Sequence, residues 1–176
     1  QENKVDMLCI GCEFNNNDNQ TASWKNITVG IRERYSGLIT YAANWDEYKN
    51  VHWWDSLDYV GIDAYFPLTN KTNPTMEELK AAWNPWVNAI ESWQATVNKP
   101  IIFTEIGYRS ADGTNEAPWE YAASSLDLQE QNDCYNATLQ SFYNLSWFYG
   151  FYWWNWETNP TAGGNRNIDY TPQNKP

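Results

Sequence analysis

Apolar runs of strand length alternate along this chain with stretches whose apolar residues recur at helical spacing. The runs predict strands at Val5–Glu13, Leu38–Asn44, Leu57–Phe66, Ile101–Glu105 and Tyr149–Trp156. The helical stretches lie at about Ala22–Tyr35, Met76–Val97 and Leu126–Tyr143, with at most a short helix in Trp45–Ser56. Strands separated by helices favour an α/β fold with a parallel sheet and with helices outside it.

The second helical stretch carries a continuous apolar stripe, which indicates burial against a sheet. Pro85 is expected to interrupt this helix, with Asn84 capping a second segment that has Pro85 at its first position. The tryptophans of the stripe fit a buried helix face better than a platform for a ligand. The stripe consists of Leu79, Trp83, Trp86, Ile90 and Trp93.

Polar side chains collect on one face of the predicted strands, close to the strand ends. In the third strand the face suited to meeting helices carries Val60, Ile62 and Ala64. The opposite face carries Tyr59, Gly61, Asp63 and Tyr65. By the same alternation Glu13 should share a face with Gly11, and Glu105 should share a face with Phe103. Polar groups gathered in this way suit the mouth of a barrel of parallel strands.

Two glutamates, Glu13 and Glu105, therefore stand at the ends of separate strands. Cleavage of a glycosidic bond commonly uses two carboxyl groups, one protonated to assist the leaving oxygen and one ionised. For Glu105 the alternative is a structural ion pair with Arg109. For Glu13 the alternative is a solvated carboxylate on a loop.

Composition narrows the classes of partner. The formal net charge is −11, with only 11 Lys and Arg residues, which argues against nucleic acid. No apolar stretch approaches the roughly 20 residues of a membrane span. Aromatic residues make up 17% of the chain and include 12 Trp. Core packing accounts for most of them, and the surplus suits a surface that holds sugars by ring contact.

The cysteines Cys9, Cys12 and Cys134 are odd in number, which excludes a complete disulfide framework. Cys9 and Cys12 have the spacing of a metal or redox pair, but no second pair accompanies them. In a regular strand the two would also face opposite sides. No metal site is therefore expected. Asn-X-Ser/Thr sequons allow export without establishing it, at Asn19, Asn26, Asn70, Asn136 and Asn144.

Ordered motifs extend over nearly the whole chain. They are Cys9–Phe14 (CIGCEF), Leu38–Asp46 (LITYAANWD), Leu57–Pro67 (LDYVGIDAYFP), Ile102–Ser110 (IFTEIGYRS), Gly150–Trp156 (GFYWWNW) and Asp169–Pro176 (DYTPQNKP). Together they resemble glycoside hydrolase family 113. The resemblance implies a (β/α)8 TIM barrel of clan A, retaining hydrolysis, endo-β-1,4-mannanase activity on a polysaccharide or oligosaccharide, and no metal or organic cofactor.

The resemblance also implies roles for individual residues. Glu13 matches the acid/base at the end of barrel strand four, and Glu105 matches the nucleophile at the end of strand seven. Tyr65 is implied as a hydrogen-bond partner of the nucleophile. Cys12 departs from the Asn that many clan members carry immediately before the acid/base. The implied sugar-contacting residues are Asn44, Trp45, Asp63, Tyr65, Trp154 and Trp156, and the sequence does not fix which of Trp153, Trp154 and Trp156 faces inward.

Because the resemblance begins at barrel strand four, residues 1–176 are expected to form a single partial TIM-barrel domain covering strands four to eight. The missing N-terminal part of the barrel, strands one to three, is expected from a longer enzyme or from an assembly that completes the barrel. Mannan is the expected substrate, with glucan or xylan as alternatives. The alternative function is a non-catalytic carbohydrate-binding domain, or an inactive fragment that retains an aromatic sugar cleft.

Overall fold

A computed structural model of the protein describes residues 4–122 and 124–176. The strands are β1 (Met7–Cys12), β2 (Leu38–Asn44), β3 (Val60–Asp63), β4 (Ile101–Ile106) and β5 (Phe148–Trp153). The helices are α1 (Thr21–Arg32), α2 (Met76–Val97) and α3 (Leu128–Phe142), with a short 3-10 helix at Trp54–Ser56. The predicted alternation of strands and helices is therefore confirmed, with ends that differ by a few residues.

The strands form one sheet in the order β1-β2-β3-β4-β5, and every neighbouring pair is parallel. Helices follow β1, β3 and β4, while the short 3-10 helix lies between β2 and β3. This arrangement confirms the α/β class and the parallel sheet. Since all strands run the same way, the segments that leave their carboxyl ends meet along one edge of the sheet.

The hydrophobic core lies between the sheet and its helices. Val60, Ile62 and Ala64, predicted to meet helices, are fully buried. Phe103 of β4 packs edge-on against Phe142 of α3, with ring centroids 4.8 Å apart. This apolar layer supports the sheet on its outer face. Within the described ranges, no helix combines the length and the apolar character needed to cross a membrane.

Helix α2 runs unbroken through Pro85, so the predicted interruption is wrong. The helix begins with a capping box, in which Thr75 Oγ1 accepts from Glu78 N at 3.2 Å and Glu78 Oε2 accepts from Thr75 N at 2.9 Å. Pro85 is exposed, so the hydrogen bond that it cannot donate is lost on the solvent side. Trp83 and Ile90, both buried, hold the opposite side of the helix on the core.

A β-bulge near the end of β4 sets the face on which Glu105 lies. Ile62 of β3 pairs with Phe103, but the next residue, Asp63, pairs with Glu105, so β4 contains one extra residue. Phe103 points into the core, whereas Glu105 lines a cavity on the inner face of the sheet. The prediction that Phe103 and Glu105 share a face is therefore wrong, because strict alternation does not continue through a bulge.

Strand β1 is irregular in the same way. Cys9 pairs with Thr40 and Cys12 pairs with Ala42, so β1 contains one extra residue between its cysteines. Cys9 and Cys12 consequently line the same cavity on the inner face of the sheet. The prediction that they face opposite sides is wrong for this reason.

Glu13 follows β1 in a left-handed backbone conformation, with φ of 53°. Its N–H donates to Ala42 O at 2.9 Å, which keeps the residue tied to β2. Gly11, predicted on the same face, instead lies on the helix side, where a Cβ atom would be 3.0 Å from the rings of Trp24 and Tyr41. The left-handed turn therefore brings Glu13 to the inner side, and the predicted shared face with Gly11 is wrong.

Candidate active site

Segments that follow the strands enclose a cleft of about 550 Å³, here called the carboxyl-end cleft. A second cavity of about 370 Å³, the inner cavity, lies on the inner face of the sheet and also includes Glu105. Of the predicted site residues, the carboxyl-end cleft contains all except Asp63 and Trp156. Its lining residues are Glu13, Asn44, Trp45, Asp46, Tyr65, Glu105, Trp119, Tyr121, Trp154 and Tyr170.

Glu105 enters the carboxyl-end cleft from β4 and accepts a hydrogen bond from Tyr65. Tyr65 Oη lies 2.9 Å from Glu105 Oε2. Burial raises the pKa of Tyr65 well above its usual value, and the charge of Glu105 raises it further. The phenol therefore stays neutral and acts as a donor, which fixes the orientation of the Glu105 carboxyl group.

Glu13 reaches the same cleft from the end of β1. Partial desolvation raises the pKa of its carboxyl group, and the negative charges of Glu105 and Asp46 add to the increase. A raised pKa keeps a larger share of Glu13 protonated at moderate pH. The cleft thus holds two carboxyl groups in different environments, one suited to give a proton and one held by a phenol.

Arg109 does not pair with Glu105. Its Nη1 donates to Ala122 O at 2.9 Å, and the guanidinium lies over the ring of Tyr121, 5.4 Å from the centroid. None of the ion pairs found among residues 4–122 and 124–176 includes Glu105. The alternative of a structural ion pair between Glu105 and Arg109 is therefore wrong.

Asp63 lies at the end of β3, lines the inner cavity and is fully buried. Its Oδ1 accepts from Thr104 Oγ1 at 2.7 Å, and its Oδ2 accepts from Cys12 Sγ at 3.3 Å. Burial raises the pKa of Asp63 to about 7, with the charges of Glu105 and Glu13 also raising it and the two hydrogen bonds opposing the rise. Both carboxyl oxygens are therefore engaged by protein donors.

Aromatic rings form the walls of the carboxyl-end cleft. Trp45 stacks on Trp119 with ring centroids 5.5 Å apart, and Trp154 contributes a side chain that is 41% exposed. Trp153 faces the other side of the sheet and stacks on Tyr135, with centroids 4.0 Å apart. Trp156 is 72% exposed and does not line the cleft. Of the three candidate tryptophans in and after β5, Trp154 is the one placed to contact a ligand.

Three aromatic residues of the cleft were missed from the sequence: Trp119, Tyr121 and Tyr170. They come from a connecting segment and from the C-terminal tail, neither of which has a periodic pattern. Tyr170 donates from Oη to Pro118 O and packs edge-on against Tyr65, with centroids 6.5 Å apart. Gln131 Nε2 donates to Tyr170 O at 2.9 Å, which ties the tail to α3. For Trp119, Tyr121 and Tyr170, aromatic character was the only feature of the sequence that could have indicated a place in the cleft.

Within residues 4–122 and 124–176, two side-chain clusters have ligand atoms within 4.8 Å of one another, a spacing that a metal ion could bridge. The first cluster is Cys12, Asp63 and Glu105. Partial desolvation and the charge of Asp63 raise the pKa of the Cys12 thiol, and this thiol donates a hydrogen bond to Asp63. In the second cluster the oxygens of Glu130 accept from backbone N–H groups and an Asn side chain, and Asp127 caps α3. The last member of that cluster is Asp112. These potential ligand atoms already take part in hydrogen bonds within the protein.

Comparison with known proteins gives two findings on sequence. The family model of Glycoside Hydrolase Family 113 matches residues 1–175. A search of curated proteins gave no match.

Solved structures give closely matching folds. The chain is similar to a family 113 β-mannanase from Alicyclobacillus acidocaldarius, with a TM-score of 0.86 and 25% identity, covering 99% of this chain and 53% of that one. A family 113 β-1,4-mannanase has a TM-score of 0.83 and 25% identity, covering 100% of this chain and 54% of that one. A β-glucuronidase from Ruminococcus gnavus shares the fold at a TM-score of 0.65 and 15% identity, over 94% of this chain and 29% of that one. The chain thus spans about half the length of these mannanases, and its sheet is part of a TIM barrel.

Proposed function

The chain belongs to glycoside hydrolase family 113, and on that premise we propose that it hydrolyses β-1,4-linked mannan with retention of the anomeric configuration. The observation that carries the proposal is the meeting of Glu13 and Glu105 in one cleft, with Glu105 held by Tyr65. The similarity in structure to a β-mannanase and to a β-1,4-mannanase supports mannan as the substrate. Because the chain covers about half of their length, the activity is proposed for the complete natural polypeptide.

In the first step an oxygen of Glu105 attacks the anomeric carbon and forms a glycosyl ester. The bond from that carbon to the leaving oxygen breaks, and Glu13 gives its proton to this oxygen. The raised pKa of Glu13 suits it to the donor role. Tyr65 holds the attacking carboxylate in place through its 2.9 Å hydrogen bond.

In the second step Glu13, now ionised, takes a proton from water while the water oxygen attacks the anomeric carbon. The ester bond to Glu105 breaks, and the glutamate leaves as a carboxylate. The negative charge of Glu105 is one cause of the raised pKa of Glu13. Because esterification removes that charge, the pKa of Glu13 falls in the intermediate, which favours the ionised form needed for this step.

The sugar chain would lie against the aromatic walls of the carboxyl-end cleft. Trp154, immediately after β5, and the stacked Trp45 offer ring faces for the apolar faces of the sugar units. Asn44 Oδ1 accepts from Trp45 N at 2.8 Å, which orients the amide so that its nitrogen can donate to a sugar hydroxyl. Two ring surfaces and one oriented amide support a neutral oligosaccharide as ligand.

The test uses the complete natural polypeptide with mannohexaose, cellohexaose and xylohexaose as substrates. Proton NMR follows the anomer that forms first. We expect cleavage of mannohexaose with the β-anomer as initial product, and loss of nearly all turnover in Glu105→Gln and Glu13→Gln. Glu33→Gln, on the exposed surface at the end of α1, is the matched control and should keep wild-type turnover.

Each contrary result would reject a particular part of the proposal. An initial α-anomer would reject retention, and turnover by Glu105→Gln would reject the nucleophile. Cleavage of only cellohexaose or xylohexaose would keep the mechanism and reject mannan. Binding of all three sugars with no cleavage by the wild type would favour the carbohydrate-binding alternative.

A further inference from the structure

The residue immediately before each proposed catalytic glutamate donates a hydrogen bond to the same carboxylate. Cys12 precedes Glu13 and donates from Sγ to Asp63 Oδ2 at 3.3 Å. Thr104 precedes Glu105 and donates from Oγ1 to Asp63 Oδ1 at 2.7 Å. Asp63 therefore links the strand end that carries Glu13 to the strand end that carries Glu105.

Backbone contacts make this link rigid. Asp63 pairs directly with Glu105 of β4 on one side and with Asn44 of β2 on the other, and β2 in turn holds Glu13, whose N–H donates to Ala42 O at 2.9 Å. The N–H of Ala64, the next residue, donates to Glu105 O at 2.7 Å. Asp63 itself is fully buried. Backbone pairing, burial and two side-chain hydrogen bonds therefore all restrain the Asp63 carboxyl group.

We propose that Asp63 is a positioning residue, which sets the separation and orientation of Glu13 and Glu105 by holding Cys12 and Thr104 at once. This inference rests on the proposed function, because it assigns Asp63 to the geometry of that reaction. A retaining enzyme needs its two carboxyl groups about 5–5.5 Å apart. An error of about 1 Å in such a position can lower the rate about 100-fold.

The proposal changes the role that the family resemblance implied for Asp63. A sugar-contacting aspartate needs an oxygen exposed in the carboxyl-end cleft, but Asp63 is fully buried, lines the inner cavity instead, and accepts from a protein donor at each oxygen. Above its pKa of about 7, Asp63 is a carboxylate with only acceptor oxygens, which suits a site with two donors. An amide of the same shape would present one NH2 group to a donor. Asp63→Asn therefore breaks one of the two contacts while changing volume little.

The experiment measures kcat and KM for mannohexaose with variants of the complete natural polypeptide at pH 8, where Asp63, with a pKa of about 7, is ionised. Asp63→Asn should lower kcat by about 10- to 100-fold and leave KM within about twofold, because positioning affects the reacting groups and not sugar binding. Thr104→Val should lower kcat in the same way, and Thr104→Ser, which restores the hydroxyl donor, should recover most of the loss. Thr104 thus gives a second route if Asp63→Asn fails to fold.

Asp58→Asn is the matched control. Asp58 Oδ2 accepts from Ile39 N at 2.7 Å, at the far end of the sheet from the cleft. This substitution should lower stability without lowering kcat. A general structural effect would instead lower kcat in both aspartate variants.

The inference is overturned if Asp63→Asn and Thr104→Val keep wild-type kcat, or if both raise KM at constant kcat, which would make Asp63 a sugar contact. Equal loss in Thr104→Ser and Thr104→Val would also reject it. Those results leave the proposed function standing, since the wild type would still cleave mannohexaose. A wild type that cleaves none of the three hexasaccharides would reject the proposed function and this inference together.

Discussion

Replacement of Asp63 by Asn should change how the stability of the protein depends on pH. Burial raises the pKa of Asp63 from its ordinary value of 3.8 to about 7 in the folded protein. Between pH 4 and pH 7 the unfolded chain has therefore released a proton that the folded protein still holds. Raising the pH over this range favours unfolding of the wild type, and above pH 7 the effect is constant.

The magnitude follows from the size of the shift. A rise from 3.8 to about 7 is roughly three pKa units, and each unit corresponds to about 1.36 kcal/mol. Asp63 therefore lowers the free energy of unfolding by up to about 4 kcal/mol between pH 4 and pH 7. An asparagine does not titrate, so the variant lacks this contribution. We expect the stability of Asp63→Asn, relative to wild type, to rise by up to about 4 kcal/mol over the same range.

The assay is urea unfolding of both proteins at half-unit steps from pH 4 to pH 8, at constant ionic strength, followed by tryptophan fluorescence. Equal denaturant slopes in the two proteins are the control that the same surface is exposed on unfolding. The reasoning would be refuted if the difference in unfolding free energy between the two proteins changed by less than about 1 kcal/mol from pH 4 to pH 8. The buried carboxyl group would then carry no unfavourable charge.

Two further predictions concern the cleft. Tyr65→Phe removes the hydrogen bond to Glu105, and a hydrogen bond to a charged group contributes about 1.5–3 kcal/mol. The kcat for mannohexaose should therefore fall about 10- to 150-fold. An unchanged kcat would show that the phenol does not support the nucleophile. Trp154→Ala should raise KM up to about 10-fold because a ring contact with the sugar is lost. Trp156→Ala, at an exposed position outside the cleft, should leave KM unchanged. Equal effects of the two substitutions on KM in steady-state kinetics would contradict the assignment of Trp154 to the cleft wall.

The hydrophobic pattern was sufficient for the α/β class and the parallel sheet because the periods of strands and helices are local properties of the sequence, whereas the TIM barrel was implied by the family resemblance. It also marked Glu13 and Glu105 as the carboxyl groups at strand ends. It failed where the backbone departs from strict alternation. The extra residue between Phe103 and Glu105 and the left-handed conformation of Glu13 both rotate a glutamate to the inner face. Neither irregularity leaves a signature in the order of apolar and polar residues.

Long-range contacts were likewise beyond the sequence pattern. Trp119 and Tyr170 lie in segments without periodicity, and they reach the cleft because the connecting segment and the tail fold across the sheet edge. Pro85 would end an isolated helix, but burial of Trp83 and Ile90 favours a continuous one. In each case tertiary packing decides between structures that local preference leaves open.

Identification of the residue that bonds to the sugar tests the account most directly. The complete natural polypeptide is incubated with 2-deoxy-2-fluoro-β-mannosyl fluoride, whose fluorine at carbon 2 slows release of the glycosyl ester, and the labelled peptide is sequenced by mass spectrometry. The account predicts a single label on Glu105, and a label that forms faster in wild type than in Tyr65→Phe. A label on Glu13, on Asp63 or on any other residue would contradict it.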